Sequence, residues 1–142
     1  MYKYPYEAFN NDVGSLIHHA KLYNPDVIVA VARGGVTLGH FMANRMDIRA
    51  LYTLNSIHYD DTKKLETIEV FNIPDLGAGK RVLIVDDIID SGESMVEIVK
   101  RLKERFPDNS YKVATLFYKK EALFTPDFTC HEAKEWIEFF WD

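Results

Sequence analysis

Apolar residues recur at Phe9, Val13, Leu16, Ile17 and Ala20, the spacing of one helical face, and predict a helix over residues 7–23 that Asn24-Pro25 ends. The pattern then changes. Residues 26–33 enclose VIVAVA, a continuous β-branched run without a polar side, which predicts a strand covered on both faces. Arg33-Gly34-Gly35 makes a turn, and Leu38, Met42 and Met46 restore helical spacing over residues 36–46. A second strand over about residues 50–58 leads into a polar, glycine-free stretch, residues 59–67. A third buried strand, residues 81–86, precedes a helix marked by Met95, Val99, Leu102 and Phe106 and closed by Pro107-Asp108-Asn109. Residues 111–118 form a fourth strand, and an aromatic tail, HEAKEWIEFFWD, occupies 131–142. Strands alternating with helices predict an α/β fold, a doubly wound, mostly parallel sheet flanked by helices, in one domain over residues 1–142. Ligands of such sheets gather at the carboxyl ends of the strands, where both glycine turns and the acidic residues fall.

Composition narrows the function. The 142 residues are 47% hydrophobic and 27% charged, the balance of a soluble globular domain. No apolar run nears the ~18 residues that span a bilayer, so no integral membrane contact is expected. The first twelve residues hold no apolar signal core, so secretion and anchoring are not expected. One cysteine, Cys130, cannot form an internal disulfide, which suits a reducing cytoplasm. A net charge of −5 without a dominant Lys/Arg cluster argues against nucleic acid as a partner. An anionic ligand would then need local amides, a few placed cations and a metal. His18 and His19 are adjacent, about 100° apart on a helix, which excludes them as a zinc pair.

The most informative segment is VLIVDDIIDSGESM, residues 82–95. An apolar strand delivers Asp86 and Asp87 at its mouth, then Asp90, then Gly92 between Ser91 and Ser94, and a helix begins at once. A helix N-terminus preceded by glycine and serine presents free N–H groups to a phosphate. Carboxylates just upstream suit sugar hydroxyls or a bridging Mg²⁺. Adjacent aspartates also cap helices or solvate loops. A VLIVDD strand likewise opens receiver domains, but there the acidic pair lies near the N-terminus and no SGES loop follows. A dinucleotide turn needs G-x-G-x-x-G, and Gly92 stands alone.

This segment resembles the signature of type I phosphoribosyltransferases, enzymes that take the phosphoribosyl group from phosphoribosyl pyrophosphate (PRPP). The resemblance implies that Asp86 and Asp87 hold the ribose hydroxyls and Mg²⁺, directly or through water. It implies that Ser91, Gly92, Glu93 and Ser94 hold the 5′-phosphate. Aspartate at position 90 matches members acting on 6-oxopurines, where it lies near N7 of the base and serves catalysis. Arg33, Gly34 and Gly35 match a loop that cradles pyrophosphate, often S-R-G-G with a non-proline cis peptide in some members; Ala32 replaces the serine. A lid loop follows the second strand in this family, and Tyr59 keeps its aromatic residue while His58 replaces the usual serine.

TLFYK, residues 115–119, places Lys119 where 6-oxopurine enzymes donate to O6, with Lys120 read as solvated. The tail resembles the W-I-E-x-P-W-D hood of bacterial xanthine–guanine enzymes. There the tryptophan stacks on the purine and backbone groups of the next residue read its edge, roles implied for Trp136 and Ile137. Phe140 replaces the proline, and relatives continue past the position of Asp142. The expectation is a purine-salvage phosphoribosyltransferase that binds PRPP, a 6-oxopurine and Mg²⁺ and assembles as a homodimer or homotetramer. The alternative is a non-catalytic PRPP-sensing regulator on the same fold, which would lack the base-pocket residues.

Overall fold

The computed structural model describes residues 1–59 and 67–142. The elements are β1 (Tyr2–Tyr4), α1 (Tyr6–Ala20), β2 (Val27–Ala32), α2 (Val36–Arg45), β3 (Leu51–Tyr59), β4 (Thr67–Phe71), β5 (Arg81–Ile89), α3 (Glu93–Arg105), β6 (Ser110–Tyr118), β7 (Phe128–Glu132) and β8 (Ile137–Phe139). Six strands form the main sheet in the order β4-β3-β2-β5-β6-β7, and a separate two-stranded sheet joins β1 to β8. Every neighbouring pair in the main sheet is parallel except β3 and β4.

Strand periodicity sorts the core into two layers. Ile28 and Ala30 of β2, with Leu83 and Val85 of β5, face Phe9, Leu16, Leu38 and Met42 of α1 and α2. Val27, Val29 and Val31, with Val82 and Ile84, face Ile98 and Leu102 of α3. A strand buried on both faces has no polar position to spare, which is why VIVAVA and VLIV read as unbroken apolar runs. The chain leaves β2 toward β3 on one side and leaves β5 toward β6 on the other. The order therefore reverses between β2 and β5, and their carboxyl ends open a crevice.

Four strands escape the sequence pattern. β4 pairs antiparallel with β3 from Asn55↔Phe71 to Tyr59↔Thr67, at the exit of the polar stretch. β7 adds an edge beside β6, and β1 and β8 are three residues each, shorter than periodicity can resolve. β5 runs past the expected end at Asp86 because β6 continues beside it, pairing Ile88 with Phe117 and Ile89 with Tyr118. Helix α1 closes at Ala20, and Asn24 then turns the chain at φ 54°. No helix among the described residues is long and apolar enough to cross a membrane.

Leu102 is fully buried where α3 meets the sheet. Leu102→Ala is expected to lower stability by about 2–5 kcal/mol through lost transfer energy and the cavity left behind, measured by urea denaturation.

Candidate active site

The mouth of the β2–β5 crevice is built by close packing of backbone on backbone. A Cβ on Gly35 would lie 2.5 Å from the Val85 carbonyl oxygen and 2.9 Å from Asp86 Cα. One on Gly34 would lie 2.5 Å from Asp87 Oδ2. Only glycines let the turn after β2 sit this near to the acidic end of β5. The turn carries a cis peptide at Ala32–Arg33, and the Gly35 N–H donates to the Val31 carbonyl at 2.8 Å. Gly35 then caps α2 without a side-chain acceptor, and the first turn of α2 has no acidic residue. A helix start of this kind, with Arg33 on the turn that precedes it, suits an anion.

Asp86 and Asp87 lie within β5. Asp86 Oδ1 accepts the Asp87 N–H at 2.8 Å, and Asp87 Oδ1 accepts the Ile88 N–H at 2.7 Å. Burial pushes the Asp86 carboxyl well above the usual carboxylate range, and the neighbouring charge of Asp87 adds to it. Burial also raises Asp87, with a further push from Asp142. Two adjacent carboxylates held partly out of water are poised for hydroxyl donors or a cation.

Beyond β5 the chain turns at Gly92, whose φ of +88° places it in the left-handed region. A Cβ there would meet the Phe124 nitrogen at 2.7 Å, because residues 122–124 pack over the turn and Leu123 N–H donates to the Ser91 carbonyl at 2.8 Å. Ser91 Oγ accepts the Glu93 N–H at 3.2 Å. A cavity of about 130 Å³ opens here, lined by Asp86, Asp90, Ser91, Gly92, Ser94 and Met95 at the head of α3. Glu93 does not line it; its carboxylate lies 3.8 Å from His58 Nε2 at the end of β3.

A larger cavity of about 790 Å³ adjoins the first through Ile88 and Asp90. Lys119, Trp136, Ile137 and Asp142 line it, and Lys120 does not. Lys119 Nζ lies 2.5 Å from Asp90 Oδ1, and this hydrogen bond and charge raise the lysine's pKa. Trp136 is 73% exposed, an indole free to cover a ligand, while the Ile137 side chain is buried in the core. A further cavity of about 630 Å³, with Leu16, Tyr23, Lys112 and Phe128 in its walls, lies at the amino ends of β6 and β7, away from the glycine turns.

The chain matches the phosphoribosyl transferase domain family over residues 6–142. It belongs to the phosphoribosyltransferase family. It is 30% identical over 118 residues to the xanthine-guanine phosphoribosyltransferase of Idiomarina loihiensis, covering 81% of this chain and 70% of that protein. The Helicobacter pylori xanthine-guanine-hypoxanthine phosphoribosyltransferase structure superposes with a TM-score of 0.92 at 36% identity, covering 99% of this chain and 92% of the other. The purine phosphoribosyltransferase of Pyrococcus horikoshii gives 0.89 at 27% identity, covering 99% and 93%. The doubly wound sheet is therefore the type I phosphoribosyltransferase fold expected from the sequence.

In this phosphoribosyltransferase, Gly34 and Gly35 abut Asp86 and Asp87, with Arg33 on the same turn. Asp90, Ser91, Gly92 and Ser94 line the small cavity, and Asp90, Lys119, Trp136 and Ile137 the large one. Glu93 and Tyr59 line neither. Tyr59 is exposed at the end of β3, paired with Thr67, and the rest of the expected lid, residues 60–66, lies outside the described residues. The sequence reading gave Asp142 no role. Its Oδ2 accepts the Phe139 N–H at 3.0 Å, and it faces the cavity with Asp87. Asp142 does match the last position of the W-I-E-x-P-W-D tail motif. Among the described residues no three His, Cys, Asp or Glu side chains converge on a metal by themselves. The carboxylate oxygens present are hard donors that fit Mg²⁺, an ion that keeps several waters and shares its coordination with phosphates.

The raised acids give a stability prediction for the protein without ligands. Asp86 titrates above its usual 3.8 in the fold, so its ionisation favours the unfolded chain. Asp86→Asn is expected to raise the melting temperature at pH 7.5. The gain should shrink as pH falls through the folded pKa and vanish below the unfolded value of 3.8, which thermal melts across pH check.

Proposed function

We propose that this chain transfers the 5-phosphoribosyl group of PRPP to N9 of a 6-oxopurine and releases pyrophosphate, a purine-salvage reaction in the cytoplasm. The observation that carries the base assignment is the Lys119–Asp90 pair in the wall of the large cavity. A 6-oxopurine in its N7–H tautomer offers an acceptor, O6, beside a donor, N7–H. It can enter between the pair and replace each lost contact, Lys119 donating to O6 and Asp90 accepting from N7. Adenine offers an amino group in place of O6, which breaks the pair and leaves the Lys119 donor unmatched.

The N9 lone pair then attacks C1 of PRPP, the C1–O bond to pyrophosphate breaks with its electrons on the leaving group, and C1 inverts. Asp90 takes the proton that N7 loses as the purine becomes a nucleotide. The remaining residues position the reactants. Asp86 and Asp87 hold the ribose hydroxyls, the 91–94 turn and α3 N-terminus hold the 5′-phosphate, and the Arg33-Gly34-Gly35 turn holds the pyrophosphate. Trp136 covers the base. Bound Mg²⁺ would be held near Asp86 and Asp87, directly or through water, and would supply charge neutralisation of the pyrophosphate. The purine-directed names of the relatives support this reading, as does the presence of Asp90, Lys119 and Trp136 in the large cavity, residues that a PRPP-sensing regulator would lack. We further propose that the chain works as a homodimer or homotetramer.

A product assay with PRPP, Mg²⁺ and each base tests the reading. Guanine, xanthine and hypoxanthine should react within about a hundredfold of one another in kcat/KM, and adenine roughly 10⁴-fold more slowly. Equal turnover of adenine and guanine would overturn the pocket assignment, and Lys119→Gln should narrow the gap. Asp90→Asn should lower kcat about tenfold or more while leaving PRPP affinity unchanged. Chelation should abolish activity and leave the far-ultraviolet circular dichroism of the folded protein intact.

A further inference from the structure

The two-stranded sheet joins residues near opposite ends of the sequence, and its register determines what the base pocket sees. Tyr2 is opposite Ile137, and the Tyr2 N–H donates to the Trp136 carbonyl at 2.8 Å. In a parallel ladder one residue bridges the two neighbours of its register partner, so β1 engages Trp136 and Glu138, and the N–H and C=O of Ile137 face the other edge. The next residue on that edge bears this out. Phe139 N–H donates to Asp142 Oδ2 at 3.0 Å, and the Phe139 carbonyl accepts the Asp142 N–H at 3.0 Å. No strand lies along this edge among the described residues, and Ile137 lines the large cavity although its side chain is buried in the core.

We propose that β1 is a positioning element for base recognition: through its Tyr2 N–H it holds β8 so that the backbone of Ile137 reads the purine edge opposite O6 and N7. The inference rests on the 6-oxopurine reading above and adds a part that the sequence motifs did not contain. Two short parallel strands are not stable as a unit, so β8 depends on neighbours for its place. Tyr4 and Phe139 anchor the ribbon in the core with rings 5.7 Å apart, and the Tyr2 hydrogen bond fixes the segment that carries Trp136 and Ile137. The edge opposite O6 and N7 bears the 2-substituent. Guanine presents an amino donor there, which a backbone carbonyl can accept, whereas hypoxanthine presents only hydrogen.

A matched pair of proline variants tests this. Tyr2→Pro removes the N–H that Trp136 accepts. Lys3→Pro makes the same chemical change at a residue whose N–H points away from β8 by the same alternation. Tyr2→Pro should lower kcat/KM for guanine about fivefold through a raised KM, with hypoxanthine changed less than about twofold and KM for PRPP unchanged. Lys3→Pro and Tyr2→Ala, which keep the donor, should behave as the parent. Melting curves should show all three variants folded. Equal effects of Tyr2→Pro on guanine, hypoxanthine and PRPP, or equal effects of the two prolines, would overturn the inference. If the parent protein converts no 6-oxopurine at all, the functional reading fails instead, a separate result.

Discussion

The architecture depends on how closely the backbone after β2 can approach the backbone of β5. With 2.5 Å between a would-be Gly35 Cβ and the Val85 carbonyl, there is no room for any side chain. That contact brings an uncapped helix start, suited to negative charge, against a pair of carboxylates at the point where the strand order reverses. The two groups have opposite preferences, one for negative charge and one for positive. A polyanionic sugar phosphate with its own counterion satisfies both, which neither a simple anion nor a simple cation could do. The sheet, the helices and the two core layers serve to hold these backbones at this separation.

That arrangement stores unfavourable energy. Asp86 and Asp87 are held where burial raises both above the usual carboxylate range, whereas the Glu93 carboxylate, in the first turn of α3, is favoured by the helix dipole. His58 lies near Glu93, on the side of β3 that faces α3. The two core layers flanking β2 and β5 offset such local costs, since nearly every residue of those strands below the mouth is fully buried. An apolar strand pair carrying a polar mouth is a common division of labour in α/β proteins.

The central strands and the three helices were legible because burial on both faces and helical spacing leave strong patterns, as VIVAVA and the 95–106 series do. The acidic strand end and its glycine turn were legible because few backbones need those residues in that order. What stayed hidden has physical reasons. β1 and β8 are too short to show a period, and their pairing is a contact between distant parts of the chain. Asp142 acts through a local backbone hydrogen bond that no spacing announces. The Lys119–Asp90 pair joins residues on different strand ends, so the sequence motifs point to each separately and not to their mutual bond.

The β1–β8 ribbon also bears on the order in which the molecule is completed. Its partners lie almost the whole chain apart, so closing that loop carries the largest entropy cost of any strand pairing in the fold. During synthesis β2, β5 and the turns at their ends can assemble while β1 still lacks β8. The crevice between β2 and β5 is then formed before β8 closes the wall of the large cavity.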